Sequence, residues 1–201
     1  MISHEHRCIF IHIPRTAGTN IERWLVGDDW WEIEPETKHL LASQAKRLYA
    51  EYWDDYFKFS IVRDPVDRMI SCLVFAKHFG LAYSPDSGFS FDGYHEKFGS
   101  DILIENDHRF SQRSALLTEK HHPQSVFGNL LDEPLDFVGR YENLESDLTF
   151  VQRAIGKQEA FGSNWNIRQD RKLPISSIGS ADRDYIENLF KADLERFSLS
   201  C

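Results

Sequence analysis

The amino-acid sequence predicts an α/β fold of three layers, in which helices cover both faces of a mostly parallel sheet. Two observations support this prediction. Short β-branched and aromatic runs alternate with stretches of helical periodicity along the chain, and these runs are continuous enough to be strands buried on both faces. The 201 residues suit one domain, and no linker or internal repeat divides them. We therefore predict a single domain over residues 1–201.

The first half of the chain contains two predicted strands, and each is a β-branched and aromatic run bounded by turn or polar residues. In chain order, the prediction is a strand over Cys8–Ile13, a loop over 14–19, a helix over Asn20–Val26, an acidic Trp-rich loop over Asp28–Glu36, a helix over Leu40–Trp53 and a strand over Phe57–Val62.

The helix after the second strand is the best specified element. Asp64 is a good N-cap, Pro65 suits the first helical position and Gly80 suits the stop. The rest of the prediction is a long loop over 80–99, a helix over Asp101–Leu117, a strand over Leu135–Val138, a helix over Leu144–Ile155 ended by Gly156, and a last helix capped by Ser180 that carries apolar residues to Phe197.

The charge of the chain excludes some partners. A net charge of -9 argues against general binding to nucleic acid or to an anionic membrane. A small anionic ligand is compatible with it, because a few arginines can dominate one cleft while the rest of the surface stays acidic.

Composition also indicates a compartment. No apolar stretch approaches the length of a membrane span, and the first 30 residues show no secretory leader. The three cysteines form no close pair, which favours a reducing compartment and argues against disulfides or a zinc site. We expect a cytoplasmic protein without a bound metal.

The first strand leads into a candidate anion site, Pro14-Arg15-Thr16-Ala17-Gly18-Thr19, which is followed by a helix. Loop amides and a helix N-terminus converge in such a unit. The small residues let an anion approach the backbone, Thr16 and Thr19 add hydroxyl donors, and Arg15 adds a guanidinium. A tight connection without a ligand is the alternative. The Gly-Lys pair of nucleotide kinases is missing, which disfavours ordinary ATP or GTP use.

A second candidate anion site follows the second strand. Arg63 stands at the end of that strand, where α/β folds place their ligands, and Ser71 follows two helical turns later, on the same face as Arg68. A guanidinium and a hydroxyl there could bind a second phosphate. Alternatively, Arg63 and Arg68 pair with Asp64 and Asp67 on a solvated helix start.

These two segments, residues 10–19 and 57–71, resemble the donor-binding signatures of sulfotransferases that use 3'-phosphoadenosine 5'-phosphosulfate (PAPS), particularly the branch that contains carbohydrate sulfotransferases. The segment 136–145 is similar to the strand-to-helix segment that follows in this family, and the helix over 186–197 resembles the family's C-terminal helix.

The resemblance implies a P-loop NTPase-like sulfotransferase fold and the transfer of a sulfuryl group from PAPS to a hydroxyl acceptor, either a carbohydrate or a small metabolite. The product PAP would be released, without a metal. The implied 5'-phosphosulfate loop consists of Arg15, Thr16, Ala17, Gly18 and Thr19, and Arg63 and Ser71 would bind the 3'-phosphate. Arg15 replaces the usual lysine of the family, and as a planar fork it is not equivalent to a mobile ammonium. With the loop amides, it would stabilise charge in the reaction.

A general base should take the acceptor proton, and histidine suits this role near neutral pH. His39 lies between the two donor motifs, where related sulfotransferases often carry a histidine near the acceptor, so we predict it as the base. An exposed histidine at a helix start is the alternative. His121, His122 and Glu22 are further candidates, whereas His12 fits a satisfied core residue.

Two other functions stay open at this stage. A non-catalytic module that binds PAP or PAPS is suggested by Arg15, and a P-loop-type nucleotide kinase is the third possibility. The acidic net charge makes a polyanionic glycosaminoglycan acceptor less favourable. Neither the acceptor nor the oligomeric state follows from the sequence.

Overall fold

The computed structural model describes residues 1–68, 71, 131–162, 183–184, 187–188 and 190–199. The chain divides into two compact units. The first consists of Met1–Arg63 with Phe127–Asn166, and the second consists of Asp64–Val126 with Ile167–Cys201. The single domain over residues 1–201 stays a prediction.

A mixed sheet forms the centre of the first unit. Within the described residues its strands are β1 (Ile2–Ser3), β2 (Cys8–Ile11), β3 (Phe57–Val62) and β4 (Phe137–Arg140), in the order β1-β2-β3-β4. The short β1 pairs with β2 in antiparallel fashion, whereas the pairs β2–β3 and β3–β4 are parallel. The predicted α/β fold with a mostly parallel sheet is therefore confirmed.

Helices lie between β2 and β3 and follow β4. The described helices of the first unit are α1 (Gly18–Val26), α2 (Trp30–Ile33), α3 (Ala42–Leu48), α4 (Ala50–Trp53) and α5 (Leu144–Ala154). Single turns of 3-10 helix cover Pro35–Thr37 and Tyr141–Asn143. In the second unit, α6 covers Lys191–Phe197.

The second predicted strand, Phe57–Val62, is β3 and has the predicted bounds. Two neighbouring predictions were wrong. The acidic segment after α1 is not simply a loop, because the Asp29 carboxylate accepts the Trp31 N–H at 3.1 Å and so caps α2. The helix predicted over Leu40–Trp53 is interrupted at Tyr49, which separates α3 from α4.

The third strand begins two residues later than predicted. Asp136 precedes β4 and makes two hydrogen bonds to the main chain of Lys58 in β3: its N–H donates to the Lys58 carbonyl at 2.9 Å, and its carboxylate accepts the Lys58 N–H at 2.7 Å. A side chain therefore takes one place in the ladder before the regular register of Phe59 opposite Phe137 begins.

Strands β2 and β3 form the buried core. Ile9, Phe10, Phe59 and Ile61 are each completely buried, and the rings of Phe10 and Phe59 lie 5.0 Å apart between centroids. Each such side chain contributes about 1.5–3 kcal/mol by leaving water. These buried side chains stabilise the sheet. The two candidate anion segments follow directly after the carboxyl ends of β2 and β3.

In the second unit, the helix start after β3 is as predicted. Residues 65–68 and 71 are helical, and the Asp64 carboxylate accepts the Asp67 N–H at 2.9 Å as an N-cap. The predicted stop at Gly80, the loop over 80–99, the helix over Asp101–Leu117 and the cap at Ser180 lie outside the described residues.

Cys8 is fully buried and forms no disulfide, and burial raises the pKa of its thiol to about 12. Such a thiol is chemically inert. Cys72 and Cys201 lie outside the described residues. Among the helices that the structure describes, none has the length and apolar character needed to cross a bilayer. The cytoplasmic location stays a prediction.

Candidate functional site

The loop between β2 and α1 turns at two residues in the left-handed region, Arg15 and Ala17, both with φ of 69°. The Ala17 carbonyl accepts the N–H groups of Asn20 and Ile21 at 2.9 and 3.1 Å. The amides of Gly18 and Thr19 precede these bonds, and neither has an acceptor among the described residues. Amides at a helix N-terminus are anion-binding groups, so these two N–H groups suit the predicted anion site, which stays a prediction.

The two threonines of this loop differ in what their hydroxyls can do. The Thr16 hydroxyl donates to the Ile13 carbonyl at 2.8 Å, and its side chain is completely buried. Its single proton therefore stabilises the turn, which corrects the prediction that the Thr16 hydroxyl donates to an anion. Thr19 is half-buried and its Oγ1 lies 3.5 Å from the Lys38 Nζ.

A buried ionic network lies against α1. The Glu22 carboxylate is completely buried; its Oε1 lies 2.6 Å from the His12 Nδ1, and its Oε2 accepts the Lys38 ammonium at 2.6 Å and the Trp30 N–H at 3.3 Å. The Lys38 ammonium also donates to the Asp29 carboxylate. We call Glu22, His12, Lys38 and Asp29 the buried charge network.

The network removes Glu22 from the candidate bases. Burial raises the pKa of the Glu22 carboxyl, but the His12 ring and the Lys38 ammonium together outweigh burial and lower it to about 2. A carboxylate this acidic, with both oxygens already hydrogen-bonded within the network, is too weak a base to take an acceptor proton. The structure therefore contradicts the Glu22 alternative. His12, by contrast, is buried and hydrogen-bonded to Glu22, as the sequence predicted for a core residue.

Sequence reasoning missed Lys38, although it is one of the largest fully buried side chains among the described residues. One feature of the sequence could have indicated a buried cation: Glu22 stands next to the apolar Ile21 at the start of a short helix. A carboxylate on a buried helix face needs a cation, since an unpaired buried charge is very costly. The sequence does not say which of many lysines or arginines will supply it.

His39 is buried and fixed by a main-chain contact. Its Nδ1 lies 2.9 Å from the His12 carbonyl oxygen. Because a carbonyl only accepts, Nδ1 carries the proton, and Nε2 is the basic atom of the neutral ring. The rings of His12 and His39 also pack together, with centroids 4.4 Å apart. The alternative of an exposed histidine at a helix start is contradicted by this burial.

Arg63 follows β3 and is also buried. Its Nη1 donates to the Arg15 carbonyl at 2.9 Å, and its guanidinium carbon lies 3.9 Å from the centre of the Tyr141 ring. Arg63 thus joins the end of β3 to the anion loop. The burial of Arg63 and Arg68 contradicts the solvated position that the alternative gave these two side chains, whereas their pairing with Asp64 and Asp67 stays a prediction. Ser71 is helical and belongs to the second unit, so its partnership with Arg63 stays a prediction.

The comparison with known proteins decides the family. The sequence pattern of the Sulfotransferase family matches residues 1–200. The chain belongs to the Sulfotransferase family. The resemblance seen in the two donor-binding segments is therefore confirmed, and so is the carbohydrate sulfotransferase-like branch, by the relatives described next.

This sulfotransferase-family chain is similar to three curated relatives. Carbohydrate sulfotransferase 11 of Rattus norvegicus is 24% identical over 195 residues, which cover 78% of this chain and 52% of the relative. The Danio rerio protein of that name is 24% identical, over 100% of this chain and 66% of the relative. Carbohydrate sulfotransferase 14 of Danio rerio is 23% identical, over 78% and 48%. The chain thus spans about half to two thirds of their length. No solved structure is significantly similar to it.

The residues at the start of α1 are compatible with PAPS, the sulfuryl donor that the Sulfotransferase family generally uses. PAPS is an anion at both ends, and the amides of Gly18 and Thr19, which have no acceptor among the described residues, could donate to one of its anionic groups. Within the described ranges, no group of histidine, cysteine and carboxylate side chains could hold a metal ion. His121 and His122, the other candidate bases, lie outside those ranges.

Gly18 is required by its close approach to His12. A Cβ at position 18 would lie 1.9 Å from the His12 Nε2. The His12 ring cannot move away without breaking its hydrogen bond to the Glu22 carboxylate. We expect Gly18→Ala to lower the free energy of unfolding by about 1–3 kcal/mol, the usual cost of overpacking, measured by urea unfolding. The matched control is Ala17→Gly, which relieves a left-handed residue and should not destabilise. An unchanged urea midpoint for Gly18→Ala would contradict the contact.

The network also predicts how stability depends on pH. Burial lowers the pKa of His12 from 6.5 despite the Glu22 carboxylate. Below about pH 6.5, His12 therefore binds a proton more readily in the unfolded chain than in the folded protein. The free energy of unfolding falls as the pH falls. Glu22 adds a further loss between about pH 4.5 and 2. We expect the Tm to decline already between about pH 6.5 and 5, and less so in His12→Gln. A Tm that stays constant over this range would argue against a neutral buried His12.

Proposed function

We propose that this chain is a sulfotransferase that transfers a sulfuryl group from PAPS to a hydroxyl acceptor and releases PAP. The observation that carries the proposal is the pair of amides at Gly18 and Thr19, which have no acceptor among the described residues and stand at the start of α1 directly after a central strand. Family membership supports the same reaction, since sulfuryl transfer needs an anion site for the phosphosulfate group.

In the proposed reaction, the bond between sulfur and the bridging phosphate oxygen breaks as a bond forms between sulfur and the acceptor oxygen. The protein's contribution is positioning and charge stabilisation, as in phosphoryl transfer. The amides of Gly18 and Thr19 with the Arg15 guanidinium would stabilise negative charge on the phosphosulfate oxygens. The acceptor proton would pass to the His39 Nε2, while the His12 carbonyl holds the Nδ1 proton and orients the ring.

The 3'-phosphate is assigned to Arg63 and Ser71. The hydrogen bond from Arg63 to the Arg15 carbonyl supports the proposed role of Arg63 in binding the nucleotide, because the guanidinium lies next to the anion loop. In this proposal, Arg63 both holds the anion loop through the Arg15 carbonyl and binds the 3'-phosphate.

Replacing Arg63 tests this assignment. We expect Arg63→Ala to weaken PAP binding by about 1.5–3 kcal/mol, the range for a hydrogen bond to a charged group, measured by titration calorimetry. Arg153→Ala, at an exposed position near the end of α5, is the matched control and should bind PAP as the unmodified chain does. Equal PAP affinity in a folded Arg63→Ala protein would remove Arg63 from the site.

The acceptor is proposed from the relatives and from charge. Three relatives are carbohydrate sulfotransferases by name, which favours a carbohydrate hydroxyl. The net charge of -9 opposes encounter with a polyanion, so we propose a neutral sugar or another small hydroxyl compound.

Two measurements test the function. Thermal unfolding with PAP, ATP or AMP identifies the nucleotide that the native state binds, because only such a ligand raises the Tm. We expect stabilisation by PAP well above that by ATP or AMP. Incubation with PAPS and a panel of hydroxyl compounds should then release PAP and form a sulfated product. Mg-dependent ATP turnover in preference to PAP binding would instead indicate the nucleotide kinase.

A binding module without turnover is the second candidate, favoured by Arg15 where the family usually has lysine. Arginine offers a rigid fork rather than a mobile point charge, and Arg15 is held in a left-handed turn. PAP binding without any sulfated product, together with Arg15→Lys gaining activity, would favour this module.

A further inference from the structure

We propose that Lys38 is a positioning residue that leaves the Thr19 hydroxyl free to donate a hydrogen bond to the 5'-phosphosulfate group. This inference rests on the proposed function, because it assigns a task within the same site. It concerns a lysine that lies outside both donor-binding segments and whose ammonium reaches the anion loop at Thr19.

The contacts of Lys38 determine what Thr19 can do. The ammonium is almost completely buried and has three acceptors around it: the Glu22 carboxylate at 2.6 Å, the Asp29 carboxylate, and the Thr19 Oγ1 at 3.5 Å. An ammonium has three N–H donors and no acceptor. The Thr19 oxygen therefore receives a hydrogen from Lys38, and its own proton is left for another acceptor.

The neighbouring threonine lacks this property. The Thr16 hydroxyl already donates to the Ile13 carbonyl, so it has no proton for a ligand. Thr19, in the first turn of α1, offers its amide and its hydroxyl proton at the same helix end. Two donors from one residue at the start of a helix suit an anionic oxygen better than either alone.

The two carboxylates explain why Lys38 positions Thr19 rather than binding the anion itself. Thr19 and Glu22 are three residues apart on α1 and so lie on the same helix face, where one ammonium reaches both. Glu22 and Asp29 balance the charge of Lys38 and hold it in the interior. The positive charge for the nucleotide must therefore come from elsewhere, and Arg15 is the residue of the loop that can supply it.

The test is a cycle of variants measured by PAP titration calorimetry. All are made in a Glu22→Gln background, so that removing Lys38 does not leave a buried carboxylate without its partner. We expect Thr19→Val to weaken PAP binding about tenfold, as for a lost hydrogen bond to a charged group, and Thr19→Ser to restore most of it. Lys38→Met should weaken binding several-fold. Combined with Thr19→Val, Lys38→Met should cause no further loss, because it acts through that hydroxyl.

Controls separate the possible outcomes. Lys46→Met makes the same substitution at an exposed lysine that pairs with Glu133, and PAP affinity should not change. Additive losses from Lys38→Met and Thr19→Val would overturn the inference, as would full PAP affinity in Thr19→Val. The comparison of Thr19→Val with Thr19→Ser needs no Lys38 variant, so equal PAP affinity in these two proteins would overturn the inference even if Lys38→Met does not fold. Failure of the unmodified chain to bind PAP would instead remove the proposed function.

Discussion

His39→Ala is expected to lower kcat about 10²- to 10⁴-fold, the usual contribution of a general base, while PAP affinity stays close to that of the unmodified chain. The reason is geometric: the His12 carbonyl fixes the proton on Nδ1, which leaves Nε2 as the proton acceptor. Turnover would be followed as PAP release from PAPS under single-turnover conditions, which exclude product release from the measured rate.

The controls for His39 use a conservative change and a distant histidine. His39→Gln preserves a side-chain N–H that can donate to the His12 carbonyl but lacks a basic atom, so it should be as slow as His39→Ala. His4→Ala removes an exposed histidine and should be fully active. Near-normal turnover in folded His39→Ala would redirect the assignment of the base to His121 or His122.

Lys38→Met alone is expected to cost about 3–5 kcal/mol of unfolding free energy, as does the loss of one partner from a buried ion pair. Glu22 would be left ionised and without its cation in a completely buried position. Adding Glu22→Gln should recover a large part of this loss, because the buried charge is then gone. Both variants are measured by urea unfolding at neutral pH.

The matched control for the ion pair is Lys46→Met on the surface. Lys46 pairs with Glu133 at 2.8 Å, but both side chains are partly exposed, and exposed pairs contribute little. We expect a negligible change in the urea midpoint. If Lys38→Met were as harmless as Lys46→Met, the buried charge network would not contribute to stability as described.

Local sequence patterns predicted much of the fold. The strand Phe57–Val62 was correct at both ends, because a dense apolar run is followed by a charged residue and an N-cap. The helix caps at Asp64 and the stop near Gly156, which has φ of 67°, also followed from single residues. Errors arose where side chains replaced backbone partners, as Asp29 does at the start of α2 and Asp136 before β4.

The candidate site was predictable to the extent that it is local. A strand, a loop of small residues and a helix place the amides of Gly18 and Thr19 next to each other, and this whole unit lies within residues 8–26. The pairing of Lys38 with Glu22 was not predictable, because it joins residues 16 positions apart whose meeting depends on packing. The turn that occupies the Thr16 hydroxyl depends in the same way on the geometry of the folded loop.

We propose that the start of α1 holds the 5' end of a doubly anionic nucleotide while Arg63 holds the other end. A crystal structure of the chain with PAP tests it most directly. We expect the 5'-phosphate oxygens within about 3 Å of the Gly18 and Thr19 amide nitrogens, and the 3'-phosphate against the Arg63 guanidinium. PAP bound without contact to either amide would contradict the claim.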